Sequence, residues 1–302
     1  MNKRFVSIGE CMVEMSGGED GLYRLGFAGD SFNTAWYMRA GLGNGWHVDY
    51  VTALGEDIYS AQMRDFFARN RIGTAHIQTI KNKQAGLYLI HQADGDRHFT
   101  YWRQDSAARK LADDPDALKA ALDGASMIYF SSISLAIVGH NGRKNLLTAI
   151  ANARRGGAKV AFDPNIRPAL WPDTKTLTDS IEAACAGVDI VLPTFDDEQA
   201  AFGDNSPEET VLRYQDLGVK EVVVKNGPGM ALVALDKTRI SAPASPVAAI
   251  DATGAGDAFN GSYLAARLNG NDLEQSAIAA HKTAALVVQN QGALVDHKLL
   301  KT

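Results

Sequence analysis

Short β-branched or aromatic runs alternate with amphipathic segments along most of the chain, and this alternation limits the fold more than any other feature. The runs are RFVSI (4–8), VDYVTAL (48–54), SMIYFSS (126–132), KVAFD (159–163), VDIVLP (188–193) and EVVVK (221–225). Helical patterns lie between several of them. In residues 141–157, Leu146, Leu147, Ile150 and Ala151 share one face before a glycine stop. In residues 206–218, Ser206 reads as N-cap, Pro207 as first helical residue and Gly218 as stop. Strand and helix in alternation predict an α/β fold whose mostly parallel sheet is covered on both faces.

Two regions break the rhythm. Residues 84–103, QAGLYLIHQADGDRHFTYWR, read as two aromatic-rich strands around a turn at Asp94-Gly95. Residues 10–30 carry five glycines, Gly17, Gly18, Gly21, Gly26 and Gly29, and little helical pattern. Antiparallel strands of this kind do not belong in a parallel sheet. They predict a small separate sheet, from about residues 10–33 and 84–105, lying as a lid over one edge. With no linker or repeat visible, residues 1–302 are expected to form a single domain.

Composition excludes several partners. The formal net charge is -5, so no basic face is expected for nucleic acid or an anionic membrane. An anionic ligand must then be held by local donors. Cys11 and Cys185 have no metal-ligand spacing and make no disulfide framework. The first apolar run is interrupted by Glu10 and Glu14, unlike a signal peptide. No apolar stretch approaches the ~18 residues of a spanning helix. A cytoplasmic protein is expected.

Ligands of open α/β sheets collect at the carboxyl ends of strands. After KVAFD comes Pro164-Asn165-Ile166-Arg167; after VDIVLP, Thr194-Phe195-Asp196-Asp197-Glu198; after EVVVK, Asn226-Gly227-Pro228-Gly229. After a last extended stretch, VAAID, comes Ala252-Thr253-Gly254-Ala255-Gly256-Asp257, with a helix predicted over 257–268. Glycines at a helix start let backbone amides converge, and the helix dipole adds to them, which suits a phosphate. A tight turn with Asp257 as a capping acid is the alternative. No Gly-Lys-Ser/Thr follows, so this is not a Walker loop. Phe259 at the third glycine position breaks a dinucleotide fingerprint. An acid inside a phosphate nest makes sense if Asp257 takes a proton from an alcohol attacking that phosphate.

Asp251-Ala252-Thr253-Gly254-Ala255-Gly256-Asp257-Ala258-Phe259 resembles the C-terminal signature of the PfkB/ribokinase family of sugar kinases, and Ala28-Gly29-Asp30-Ser31-Phe32-Asn33 resembles its early glycine-acid-Asn motif. The segments IGECMVEM, GLYL, FTYWR, DPNIRPALW and TFDDE are most similar to the 2-keto-3-deoxygluconate kinases of that family. The resemblance implies a ribokinase-like three-layer α/β/α fold with a small β-sheet lid. It implies ATP-dependent phosphorylation of the terminal hydroxyl of 2-keto-3-deoxygluconate, giving 2-keto-3-deoxy-6-phosphogluconate, with Mg²⁺ and in some members K⁺. Asp257 would be the base, and the backbone of Gly254, Ala255 and Gly256 the anion hole. Gly29, Asp30, Asn33, Tyr88, Tyr101, Arg103 and Arg167 would meet the sugar acid. Asn165, Lys225, Gly227 and Gly229, with Gly254 and Gly256, would meet ATP. Glu198 would join a magnesium-water network, although Phe195 stands where that motif has Asn, and Asp251 would hold the monovalent cation.

Each assignment has a plainer alternative. Arg103 could pair with Asp105 and Arg167 could brace a loop, whereas two guanidinium forks beside a sugar favour an acidic one. Tyr88 and Tyr101 could only pack the lid. Asp30 and Asn33 could cap a helix. His281 reads as a structural helix residue. Other acceptors (fructose, ribose, a nucleoside) and a non-catalytic nucleotide- or sugar-binding regulator remain rival functions. The exposed edge of a lid sheet invites pairing, so a homo-oligomer is expected.

Overall fold

Every residue of strands Arg4–Ile8, Met127–Ser131 and Glu221–Val224 is buried, as strands covered on both faces require. They belong to an eight-stranded sheet seen in a computed structural model that describes residues 3–17, 21–93, 96–244 and 246–300. Its order is Thr238–Ala242, Ala231–Leu235, Glu221–Val224, Ile190–Val191, Lys159–Asp163, Met127–Ser131, Arg4–Ile8, His47–Val51. From Glu221–Val224 to His47–Val51 the strands run parallel, and the first two add an antiparallel hairpin at one edge. Arg4–Ile8 has His47–Val51 on one side and Met127–Ser131 on the other. The direction of winding therefore reverses beside it, which opens a crevice at the carboxyl ends.

The pleat divides the core. Val6, Ile8, Ile128, Phe130, Val160, Phe162, Val222 and Val224 meet helices Pro115–Leu122, Gly139–Arg155, Thr174–Cys185 and Pro207–Asp216. Phe5, Met127, Tyr129, Ala161 and Val223 face the other way, onto helices Asp30–Gly41, Ile58–Arg69, Ala255–Leu268 and Leu273–Val288. The result is the expected three-layer α/β/α arrangement. The Pro207–Asp216 helix begins as predicted, with Ser206 Oγ accepting the Glu209 amide at 3.2 Å. Gly218 takes the left-handed conformation just past its end (φ 91°).

A second sheet has four strands in the order Tyr23–Ala28, Met12–Gly17, Leu87–Ala93, Asp96–Trp102. The hairpin register runs from Leu87 opposite Trp102 to Ala93 opposite Asp96. Its turn at Asp94-Gly95, and Gly18, lie outside the described residues. This sheet is not wholly antiparallel as expected, because Met12–Gly17 and Leu87–Ala93 run parallel. Between them the chain crosses into the main layers through residues 29–86, the long connection that a parallel pair needs.

Two strand expectations need correction. VDYVTAL splits after Val51, and Ala53–Leu54 leaves the main sheet to pair with Gln78–Thr79. VAAID is not a strand: residues 246–250 are irregular and exposed. Pro243 and Pro246 lack the amides a ladder needs, and the amides of Ile250 and Asp251 instead reach Val288 O at 2.7 and 3.0 Å.

The Asp30–Gly41 and Ala255–Leu268 helices touch backbone to backbone. A Cβ added at Gly261 would lie 2.6 Å from Thr34 O, and one at Gly41 2.7 Å from Ala265 Cβ. Only glycine permits this approach, and it brings the first turns of the two helices together. Among the described residues, no helix is long and apolar enough to cross a membrane.

Candidate active site

The Ala255–Leu268 helix starts from Gly254, which sits at φ 76° with no side-chain cap. A Cβ there would fall 2.8 Å from Ala293 Cβ, so both conformation and space require glycine. The first amides of a helix have no acceptor within it. Here Ala255 N donates to Ala252 O at 3.2 Å and Ala258 N to Gly254 O at 2.8 Å. Among the described residues no acceptor is found for the amides of Gly254, Gly256 and Asp257, so of the 254–256 set expected from sequence Gly254 and Gly256 keep an uncommitted amide and Ala255 does not.

Asp257 stands on this turn. Asn33 Nδ2, from the facing helix, donates to its Oδ2 at 2.8 Å. Burial, followed by the nearby Asp30 carboxylate, pushes the Asp257 carboxyl up to about 8, against the pull of Asn33 and Lys225. A carboxylate so placed is a much stronger base than one in water. Asp30 Oδ2 accepts from Asn165 Nδ2 at 3.1 Å, and Gly29 N donates to Asn33 Oδ1 at 3.3 Å. Two hydrogen-bonded pairs, Asn33–Asp257 and Asn165–Asp30, thus stand side by side, coupled through the charge of Asp30 on Asp257. Neither Asp30 nor Asn33 serves as a helix cap: Gly29 is the N-cap, and a Cβ on it would lie 2.2 Å from Glu10 O.

Lys225 extends from the end of Glu221–Val224. Its Nζ meets Asp163 Oδ2 at 3.0 Å and Asn260 Oδ1 at 3.1 Å, and Asn260 Nδ2 closes the triangle to Asp163 at 2.6 Å. Lys225 is 7% exposed and Asp163 2%, so this is a buried pair with both partners hydrogen-bonded.

These groups open onto one cavity of about 980 Å³. Gly29, Asp30, Asn33, Tyr88, Tyr101, Arg103, Asn165, Arg167, Lys225, Gly227, Gly254, Ala255, Gly256 and Asp257 all line it. Gly229 does not: its amide is turned back to Asn226 O at 2.7 Å, and Asn226 and Pro228 reach the cavity instead. The Tyr88 hydroxyl donates to Glu14, so its hydrogen is already engaged within the small sheet. The Tyr101 ring lies 5.8 Å from the Tyr88 ring. Arg103 pairs with Glu10, which is 2% exposed, while Asp105 is taken by Lys83. Arg167 donates to Ile166 O at 2.7 Å and lies 3.4 Å from Asp197.

Glu198 is the clearest correction. It is fully buried, with Oε2 accepting from Arg213 at 2.7 Å and Tyr214 at 3.0 Å, and it does not line the cavity. Thr194 and Asp197, again three apart, do line it. One residue along a helix turns the side chain by about 100°, which carries Glu198 into the core. Burial, then the nearness of Asp163, raises the Asp197 carboxyl against the pull of Arg167. Asp251 lies behind the loop: its oxygens accept the amides of Thr253 and Gly292 at 2.7 Å each, tying the anion-hole turn to the segment after the last helix.

Sequence reading missed Asp163 and Asn260, single polar residues that carry no spacing signal. It also missed the apolar end of the cavity, Pro228, Val247, Ala284, Ala285 and Val288, which is assembled from three distant segments. His281 adds to that end. Its Nε2 meets Ala242 O at 3.1 Å, and burial lowers its pKa, so it is neutral.

The family profile of pfkB carbohydrate kinases matches residues 2–298. The chain is 39% identical to the 2-dehydro-3-deoxygluconokinase of Dickeya dadantii (strain 3937), over 97% of each chain. It is 37% identical to the 2-dehydro-3-deoxygluconokinase of Escherichia coli (strain K12), over 99% of each. A crystal structure of a putative ribokinase II from E. coli, in complex with ATP and Mg²⁺, superposes with a TM-score of 0.84 at 23% identity, covering 97% of this chain and 94% of that one. Family profile, full-length relatives and a shared fold converge, and the chain belongs to the pfkB family of carbohydrate kinases.

Proposed function

We infer that this sugar kinase transfers the γ-phosphoryl group of ATP to the terminal hydroxyl of 2-keto-3-deoxygluconate, giving 2-keto-3-deoxy-6-phosphogluconate. The observation that carries the reading is Asp257: a strongly basic carboxylate on the same helical turn as uncommitted amides, inside a cavity of about 980 Å³. The names of the relatives support the acceptor.

In this reading Asp257 accepts the proton of the sugar hydroxyl. The resulting oxygen forms a bond to the γ-phosphorus, the bond from that phosphorus to the β–γ bridging oxygen breaks, and ADP leaves with the electron pair. The amides of Gly256 and Asp257 hold charge on the phosphoryl oxygens, a role that fixed donors perform well in a site closed to water. Asp30 and Asn33 orient the acceptor hydroxyls. Arg103 and Arg167 meet the sugar carboxylate, which favours an acid over a neutral ketose. Tyr88 and Tyr101 give the sugar an aromatic wall, and the small sheet acts as a lid that excludes water as a competing acceptor. Adenine fits the apolar end formed by Val247, Ala284, Ala285 and Val288.

The residues present fit Mg²⁺. This ion takes one or two carboxylates and completes its shell with phosphates and water, and Asp163 and Asp197 face the cavity with that capacity. When bound, it neutralises charge on the phosphate oxygens. For K⁺ the candidate holder is Asp251, a carboxylate tied to the amides of Thr253 and Gly292 beside the anion-hole turn; no step above depends on it. Exposed Leu25 and Trp102 on the small sheet, with Leu22 just before its Tyr23–Ala28 strand, favour a homo-oligomer formed through that sheet.

A panel of acceptors with Mg·ATP, run on wild type and Arg167→Ala, tests the substrate. The expected result is a preference for 2-keto-3-deoxygluconate over fructose and ribose that Arg167→Ala erodes by at least ~10-fold. Equal losses on acid and neutral sugars contradict the carboxylate assignment. Nucleotide binding without turnover of any sugar returns the regulator reading.

A further inference from the structure

The anion hole described above is built from amides alone, and its motif has no lysine of the Walker type. Three basic side chains line the cavity among the described residues: Arg103, Arg167 and Lys225. Arg103 sits at the base of the small sheet, bound to Glu10, and Arg167 is turned to Asp197 with half its side chain in solvent. Lys225 is different. Its Nζ lies 3.8 Å from where a Cβ on Gly256 would stand, beside the uncommitted amides of that turn. An ammonium has three hydrogens; two are directed at Asp163 and Asn260, at 3.0 and 3.1 Å. The triangle of Lys225, Asp163 and Asn260 fixes Nζ, and the third hydrogen is left without a protein acceptor among the described residues.

We propose that Lys225 is a catalytic residue: its third N–H contacts the γ-phosphoryl oxygens next to Gly256 and stabilises the charge that develops there during transfer. The proposal rests on the kinase reading above and deepens it. The lysine performs with a fixed point charge what mobile arginines do in other phosphoryl-transfer sites. Its pairing with Asp163 does not cancel this role: the Asp163 and Asn260 bonds occupy two of its three hydrogens and keep the ammonium from wandering. The same charge faces Asp257. The other groups that face this carboxylate are Asp30 and Asn33 from the Asp30–Gly41 helix and Asp163 from its strand, with Tyr37 and Tyr129 also within its field. Lys225 is the only one of them whose charge favours the ionised base.

The test compares Mg·AMPPNP with Mg·ADP by titration calorimetry on wild type, Lys225→Met and Lys225→Arg, without sugar. The ratio of the two affinities within one preparation is insensitive to the fraction folded. Lys225→Met is expected to lose at least ~10-fold more affinity for the triphosphate than for the diphosphate, with Lys225→Arg between it and wild type. In turnover assays Lys225→Met should lower kcat by at least ~10² with little change in sugar KM, and move the acid limb of kcat/KM to higher pH. An unchanged affinity ratio together with an unmoved acid limb overturns the proposal and leaves Lys225 a structural partner of Asp163. Because the titration needs no sugar, failure of the acceptor assignment would appear separately, as absence of turnover in wild type.

Discussion

Replacing Asn33 by Ala removes the hydrogen bond to Asp257 Oδ2 and should move the pH profile of the enzyme in a defined direction. A general base must be ionised to accept a proton, so kcat/KM rises with pH through the value of the free enzyme. Burial and Asp30 hold that value at about 8. Half-maximal kcat/KM is therefore expected near there, far above an ordinary carboxylate. A hydrogen bond to a charged group contributes about 1.5–3 kcal/mol, and one pKa unit corresponds to about 1.4 kcal/mol. Losing the Asn33 bond should raise the limb by about one to two units, less whatever water recovers in the vacated space. Asp30→Asn removes a like charge and should lower it. Initial rates at subsaturating sugar and saturating Mg·ATP, from about pH 6 to 10, separate limb position from any loss of sugar affinity. A limb that stays in place in Asn33→Ala, or moves the same way in both variants, refutes the assignment of Asp257 as the titrating base.

The same structure makes two further predictions. Asp197→Asn should raise the Mg²⁺ needed for half-maximal turnover by roughly tenfold or more, whereas Glu198→Gln should leave it unchanged and lower thermal stability by about 1–3 kcal/mol through the buried Arg213 contact; the reverse pattern would restore Glu198 to the metal network. Asp257→Asn should stabilise the fold at alkaline pH: the native carboxyl keeps its proton up to about 8 while the unfolded one releases it near 4, so wild-type stability falls as pH rises between those values. Denaturant melts near pH 5 and about pH 9 should show the gap between variant and wild type opening by on the order of 4 kcal/mol, and a gap that closes with pH would contradict the raised carboxyl.

Legibility in the sequence followed the physical range of each signal. Local devices were readable: Ser206 and Pro207 start a helix and Gly218 stops it, and Gly254, Gly256 and Asp257 mark the turn because conformation and chemistry coincide there. Short β-branched or aromatic runs identified most main-sheet strands, because strands covered on both faces are apolar throughout. What failed needed information from elsewhere in the chain. Among Asp196, Asp197 and Glu198, the residue that faces the cavity depends on how the Phe195–Phe202 helix is rotated against Arg213 and Tyr214. The partner of Arg103 is Glu10, far upstream, and not its neighbour Asp105. VAAID has strand composition, but the prolines ahead of it and its bonds to Val288 keep it irregular. Asp163 and Asn260 matter only because Lys225 lies between them.

The central claim is that Asp257 removes the proton from the acceptor alcohol beside a turn of free amides. Single-turnover transfer from Mg·ATP to 2-keto-3-deoxygluconate, measured in wild type and Asp257→Asn with sugar binding followed in parallel by calorimetry, tests it most directly. The account predicts that the variant binds sugar within roughly threefold of wild type and transfers phosphoryl at least ~10² more slowly. Transfer at close to the wild-type rate would contradict it.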